Sequence, residues 1–186
     1  MPGGLHSFFN DSFLKIAKEF GNGGYDLLFI SGYGAFGLIK KDEYIKTTAF
    51  LAAKSFLAAN SIGSILKYST VRARPYVEEG KDKFTPFIFK TSRNSFPSRH
   101  TASAFSIATV FAERSNYLSI KIIAYSLATA TAFERVYSDK HWASDVFSGA
   151  VIGYFIGKDI VLTEKNKSKN ISLLPYPGGI ILTSRF

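Results

Sequence analysis

Apolar stretches at helical spacing, each broken by a charge or a glycine before it grows long, constrain this chain most. Leu27–Ile39 and His100–Ala112 each run 13 residues without Asp, Glu, Lys or Arg, and Lys54 and Lys121 interrupt two other stretches. A membrane-spanning helix needs about 20 predominantly apolar residues. On that count the stretches read as core helices of a water-soluble bundle. Residues 7–20 place Phe8, Phe9, Phe13, Leu14, Ile16, Ala17 and Phe20 at helical intervals, and Gly21-Asn22-Gly23-Gly24 stops the pattern. An apolar segment from Tyr25 to Ile39 follows, its helicity left open by Gly32, Gly34 and Gly37. Further helices are expected at about Glu43–Lys67, Ser98–Glu113, Leu118–Arg135 and His141–Ile160.

Between Arg72 and Pro97 the pattern fails. Pro75, Pro86, Pro97 and Gly80 mark a long loop or short irregular helices. Lys165–Lys169 reads as a polar linker, and the last residues as two short strands around Pro177-Gly178-Gly179. One hairpin cannot close a barrel, so the tail is expected to cover the helical domain. The fold class is all-α: a compact bundle of about six helices with a short C-terminal β-hairpin-like tail. Residues 1–164 form the helical domain, and 165–186 the linker and tail packed on it. At 186 residues one domain with a sizeable core is expected.

A net charge of +9 attracts anions of every kind: phosphorylated substrates, acidic membrane surfaces or nucleic acid. The basic residues are scattered, and no nucleic-acid-binding motif accompanies them. Cysteine is absent, which excludes disulfides, thiolate zinc sites and a cysteine nucleophile. The histidines are His6, His100 and His141.

Three polar clusters stand out. Lys67 precedes Arg72 and Arg74-Pro75; Pro97-Ser98-Arg99-His100 opens an apolar helix; Arg135 precedes His141 and Asp145. Four residues apart on a helix, His141 and Asp145 share a face. A carboxylate can then hold one imidazole nitrogen and leave the other free with its lone pair. Taken alone, this is more often an ordinary surface pair. Ser98 is placed to start a helix, whose free backbone N–H groups near Ser98 and Arg99 also suit an anion. Taken alone, Lys67 at a helix C-terminus merely suits the dipole.

Together, Lys67-x6-Arg74-Pro75, Pro97-Ser98-Arg99-His100 and Arg135-x5-His141-x3-Asp145 resemble the three-part signature of the type 2 phosphatidic acid phosphatase (PAP2) superfamily. That superfamily also contains bacterial acid phosphatases and vanadium-dependent haloperoxidases. Two positions depart from the pattern: Arg99 stands where the family usually has Gly, and Glu134 where it usually has Ser before the third-motif Arg. The resemblance implies a metal-independent phosphatase for phosphate monoesters, lipid phosphates above all. His141 would attack phosphorus and form a phosphohistidine, Asp145 would hold its tautomer, and His100 would act as acid and base. Lys67, Arg74, Ser98, Arg99 and Arg135 would bind the phosphate. No cofactor is implied, with vanadate an inhibitor that mimics phosphate. The partners implied are a phosphorylated lipid or small phosphate ester and an anionic membrane surface, with no nucleic acid. Alternatives are a vanadium haloperoxidase and a non-catalytic anion- or lipid-binding member of the fold.

The Pro75–Pro97 loop carries Phe84, Phe87, Ile88 and Phe89 among Lys81, Lys83 and Lys90, a composition suited equally to lipid headgroups and the start of their chains or to aromatics packed on the core with solvated lysines. Met1-Pro2-Gly3-Gly4 lacks the basic region and apolar run of a signal peptide. The resemblance implies an extracytoplasmic (periplasmic) placement, since lipid-type members of the family carry the site at the outer face of the membrane and are usually integral; the short charge-free runs make a soluble or peripheral protein the expectation here rather than an integral one.

Overall fold

The computed structural model describes Glu19 and residues 21–85, 91–176 and 179–184. Among these are five α-helices: α1 (Gly23–Lys40), α2 (Glu43–Thr70), α3 (Arg99–Arg114), α4 (Leu118–Tyr137) and α5 (Ala143–Asn170). The helix expected over 7–20 lies outside the described residues except for Glu19, which is helical, so the count of about six becomes five among those described. The apolar segment from Tyr25 is helical throughout. The polar linker expected at Lys165–Lys169 is instead the last turn and a half of α5. The region from Arg72 to Pro97 holds two 3-10 turns, Pro75–Val77 and Thr91–Arg93.

Side-chain caps set the starts of three helices. Asn22 accepts from Gly24 N at 3.3 Å, Asp42 from Ile45 N at 3.0 Å, and Ser98 from Thr101 N at 3.4 Å. Lys41 and Val71 close α1 and α2 in the left-handed region, their N–H groups returning to carbonyls of the last turn.

Helix α3 runs through the middle and packs on α2, α4 and α5. Its contact with α5 is closest, because Gly149, Gly153 and Gly157 present bare backbone. A Cβ at these positions would lie 2.4 Å from Ser98 O, 2.3 Å from Ala102 O and 2.7 Å from Ser106 O. Small residues spaced by four bring helices together without help from water. A core of Ile30, Leu51, Phe56, Ile107, Val110 and Val161 fills the rest.

The backbone of Ile171–Tyr176 pairs antiparallel with Gly179–Ser184. This pairing is local, and the described helical core and polar cluster draw on neither segment. Among the described residues the core is built by helices alone, and the expectation of a hairpin packed as a cover on the bundle is not supported.

The polarity of the bundle is inverted relative to a water-soluble one. Ser55, Ser103, Ser106, Thr109 and Thr131 are buried. Ser55 Oγ donates to Ser106 O at 3.2 Å, and Asn60 Nδ2 to Ser103 Oγ at 2.8 Å. Outside stand Ile39, Phe147, Leu28 and Ile65, 65–78% exposed. Two helical stretches, Glu43–Thr70 and Ala143–Lys167, are long and apolar enough to cross a membrane. Only 39% and 28% of their most apolar windows is buried, unlike the core helix of a soluble protein.

Candidate active site

The three polar clusters meet at one end of the bundle, each carried there by a helix end. Lys67, in the last turn of α2, donates from Nζ to Asn94 O. Thr70 Oγ1 donates to Phe96 O at 3.1 Å, fastening the segment before Ser98 to α2. Ser98 N donates to Asp145 O at 2.9 Å, joining the start of α3 to the start of α5. Arg135 O accepts from Lys140 N at 3.2 Å and His141 N at 3.1 Å, folding the α4–α5 turn back on α4.

His141 is 3% exposed and precedes α5 rather than lying in it. Its position opposite Asp145 is therefore made by the turn, and the expectation of one shared helical face is corrected. Nδ1 lies 3.8 Å from Asp145 Oδ2, an electrostatic contact rather than a formed hydrogen bond, and has no other partner. Asp145 is wholly buried and fully engaged. Oδ1 accepts from Arg72 Nη1, and Oδ2 accepts from Ser95 Oγ and, at 2.9 Å, from Trp142 N. Arg72 is itself fixed: Nε donates to Lys81 O at 2.7 Å and Nη1 to Ser144 Oγ at 2.7 Å. Its guanidinium lies 5.3 Å from the Phe84 ring and 5.7 Å from the Trp142 ring. Trp142 Nε1 donates to Ala73 O at 2.9 Å. A carboxylate held at this many points can hold an imidazole in turn.

Electrostatics follow from burial and the crowd of cations. Burial lowers the His141 imidazole to about 4; contact with Asp145 opposes this, and Lys67 and Arg74 reinforce it. His100, in the first turn of α3, falls to about 3 through burial, then through the charges of Arg135, His141, Lys67 and Arg99. Both histidines are neutral in the empty site at pH 7.

Of the residues singled out from sequence, Lys67, Arg74, Ser98, His100, Arg135, His141 and Asp145 come together. Arg74 Nε is buried without a partner. Ser98 Oγ accepts from Thr101 N and, at 3.0 Å, from Thr101 Oγ1, which leaves its own hydrogen to donate elsewhere. Arg135 is 7% exposed, and Glu134, buried beside it, accepts from its Nε, so the departure at Glu134 supplies Arg135 with a partner. Arg99 differs: its side chain is exposed, lies along Gly63 and donates to Ser64 Oγ at 3.2 Å.

Arg72 stands in the first polar cluster with no role expected for it, and Ser95 was not singled out from the sequence. Both grip Asp145. The Arg72-x-Arg74 pattern beside the first motif was the available signal; Ser95 offered none. In the loop between the first two motifs, Phe84 stacks on Arg72, while Phe87, Ile88, Phe89 and Lys90 lie outside the described residues. No group of three or more His, Asp and Glu residues able to hold a metal is present among the described residues.

The family model of the PAP2 superfamily matches residues 48–169. The chain is 42% identical over 72 residues to a lipid A 1-phosphatase of Porphyromonas gingivalis, covering 37% of this chain but only 16% of that protein. LpxE of Aquifex aeolicus shares the fold with a TM-score of 0.53 and 26% identity, over 73% of this chain and 85% of that one. A transmembrane PAP2-type phosphatidylglycerolphosphate phosphatase of Bacillus subtilis shares it with a TM-score of 0.59 and 22% identity, over 86% of this chain and 78% of that one. The expectation of a soluble or peripheral protein is overturned: the fold is that of a transmembrane relative, and two apolar helices here are long enough to span. The family match covers more than half of the sequence and contains all three polar clusters, and on it the chain belongs to the PAP2 superfamily.

Proposed function

We propose that this chain is an integral membrane lipid-phosphate phosphatase that works without a metal, through a phosphohistidine on His141. The observation that carries the reading is the chain of contacts from Arg72 through Asp145 to His141. It is set among Lys67, Arg74 and Arg135 and faces His100. With Nδ1 turned to Asp145, the free Nε2 lone pair attacks phosphorus, and the bond from phosphorus to the ester oxygen breaks. His100 gives the leaving oxygen a proton. It then takes one from the water whose oxygen displaces Nε2, and inorganic phosphate departs. Lys67, Arg74, Arg135 and the Ser98 hydroxyl neutralise the equatorial oxygens. His100 is neutral in the empty site. An entering phosphate group, with a charge of about −1.5 to −2, raises its proton affinity where an acid is needed.

The exposed apolar flanks of α2 and α5 support a lipid substrate, as do the substrates named for the relatives, lipid A and phosphatidylglycerol phosphate. The test is turnover of phosphatidate and of p-nitrophenyl phosphate by purified protein in detergent with EDTA present. Release of phosphate from both in EDTA is the expected result. Loss of turnover in EDTA, restored by a divalent cation, would remove the metal-independent mechanism.

A further inference from the structure

A cavity of about 1110 Å³ lies between α1, α3 and α4. Its walls are apolar, with Leu28, Phe29, Ile107, Phe111, Ile123 and Leu127 among them. Asp26 breaks that pattern. Its side chain is buried, with the residue 5% exposed. Oδ1 accepts from Gly21 N at 3.1 Å, and Oδ2 is buried without a partner. A carboxyl oxygen left unpaired in an apolar wall destabilises the empty protein, so the group is suited to a partner that arrives.

The cavity begins close to the catalytic end. Gly21 has φ +82°, and a Cβ there would lie 2.4 Å from His100 O, so the backbone that holds Asp26 rests on the turn that carries His100. From Ala104, one turn beyond His100, the cavity follows α3 to Phe111. At 1.5 Å per residue this is about 10 Å of depth. Glu19, Tyr25 and Tyr33 also reach the wall, and Glu19 Oε2 accepts from Asn22 Nδ2 at 3.1 Å, so among the described lining residues the buried carboxyl oxygen without a partner is that of Asp26. An apolar slot with such a group beside the phosphate end fits a hydrocarbon chain, not a headgroup.

We propose that this cavity receives an acyl chain of the substrate while its phosphate occupies the site at His141. Asp26 selects chains that carry a hydroxyl near their head. The inference rests on the lipid-phosphatase reading above. A hydroxyl both donates and accepts, so it pairs with the carboxyl in either protonation state, whereas a carbonyl pairs only with the protonated form. An unsubstituted chain buries Oδ2 with no partner.

The test uses two lipid phosphates of identical headgroup and chain length, one hydroxylated at the third carbon and one plain. Wild type should favour the hydroxylated lipid in kcat/KM by about tenfold. Asp26→Asn keeps an acceptor for Gly21 and a polar atom in the cavity, and retains the preference. Asp26→Leu abolishes it. The same preference in all three proteins, or an equal loss on both lipids in Asp26→Leu, overturns the proposal. Thermal unfolding with the matching phosphate-free lipids separates the two readings. If wild type turns over neither phosphate but the hydroxylated lipid stabilises it more than it stabilises Asp26→Leu, the phosphatase reading falls and the cavity stands. Turnover without discrimination in either assay leaves the phosphatase and removes the chain selector. Neither turnover nor selective stabilisation removes both.

Discussion

Replacing Gly153 by Ala adds one methyl group at the closest contact between α5 and α3. The new Cβ would lie 2.3 Å from Ala102 O, 2.8 Å from Ser106 N and 2.9 Å from Phe105 Cβ. Carbon–oxygen contacts normally sit at about 3.3–3.6 Å, so the helices must part by about 1 Å. All three obstacles belong to α3, and two are backbone atoms, so no side chain can swing aside. Overpacking of this kind destabilises by about 1–3 kcal/mol. The larger effect falls on catalysis: α3 carries Ser98 and His100, α5 carries Asp145, and Ser98 N bonds Asp145 O across the same seam. A misplacement of about 1 Å between catalytic groups lowers rate by about a hundredfold. Gly24→Ala is the control, since its Cβ would meet only Asn22 Oδ1 at 3.8 Å. Turnover of p-nitrophenyl phosphate and thermal unfolding, both in detergent, read the two effects. Gly153→Ala should lose about two orders of magnitude in kcat and unfold at lower temperature, with Gly24→Ala like wild type. Wild-type rate and stability in Gly153→Ala would refute the claim that this seam aligns the site.

Two further outcomes follow from the charges around His141. On the proposed mechanism the nucleophile, His141, must be neutral, and burial lowers its pKa from 6.5 to about 4, so the group is neutral at and above pH 5. The limb of kcat/KM that depends on His141 should therefore fall near pH 4 as pH drops; a limb set by His141 at 6.5 would contradict the buried geometry. Arg72→Ala frees Asp145 Oδ1 from its cation, which loosens the carboxylate and strengthens its pull on the imidazole. The variant should lose about a hundredfold in kcat and show that limb at higher pH. A rate loss with an unmoved limb would reduce Arg72 to a packing role.

The site was legible in the sequence because it consists of polar islands at the ends of apolar helices, in a spacing that chance seldom produces. What spacing could not convey was how Asp145 is held. Arg72 and Ser95 reach it from a loop of irregular conformation, and no periodicity links positions 72, 95 and 145. The helix start was misjudged for a related reason: the Asp145 carboxylate accepts from Trp142 N and so caps the turn, leaving His141 outside the helix. The membrane was misread because charges were counted as interruptions. Lys67 and Asp145 are buried among protein groups at the site end, and Lys54, on the surface of α2, lies with Nζ 5.3 Å from the Phe50 ring. Charges paired inside a bundle, and long side chains that lie along apolar surface, are compatible with spanning helices. The length of a charge-free run therefore understated α2 and α5. The inverted burial of Ser and Thr against exposed Leu, Ile and Phe becomes visible only once the helices are packed.

The central claim is that His141 carries phosphate during turnover, and rapid quenching with radiolabelled lipid phosphate tests it most directly. Wild type should trap a label that is stable in base, lost in acid and located on the peptide containing His141, with none in His141→Ala. A label on another residue, or turnover that persists in His141→Ala, would contradict the account.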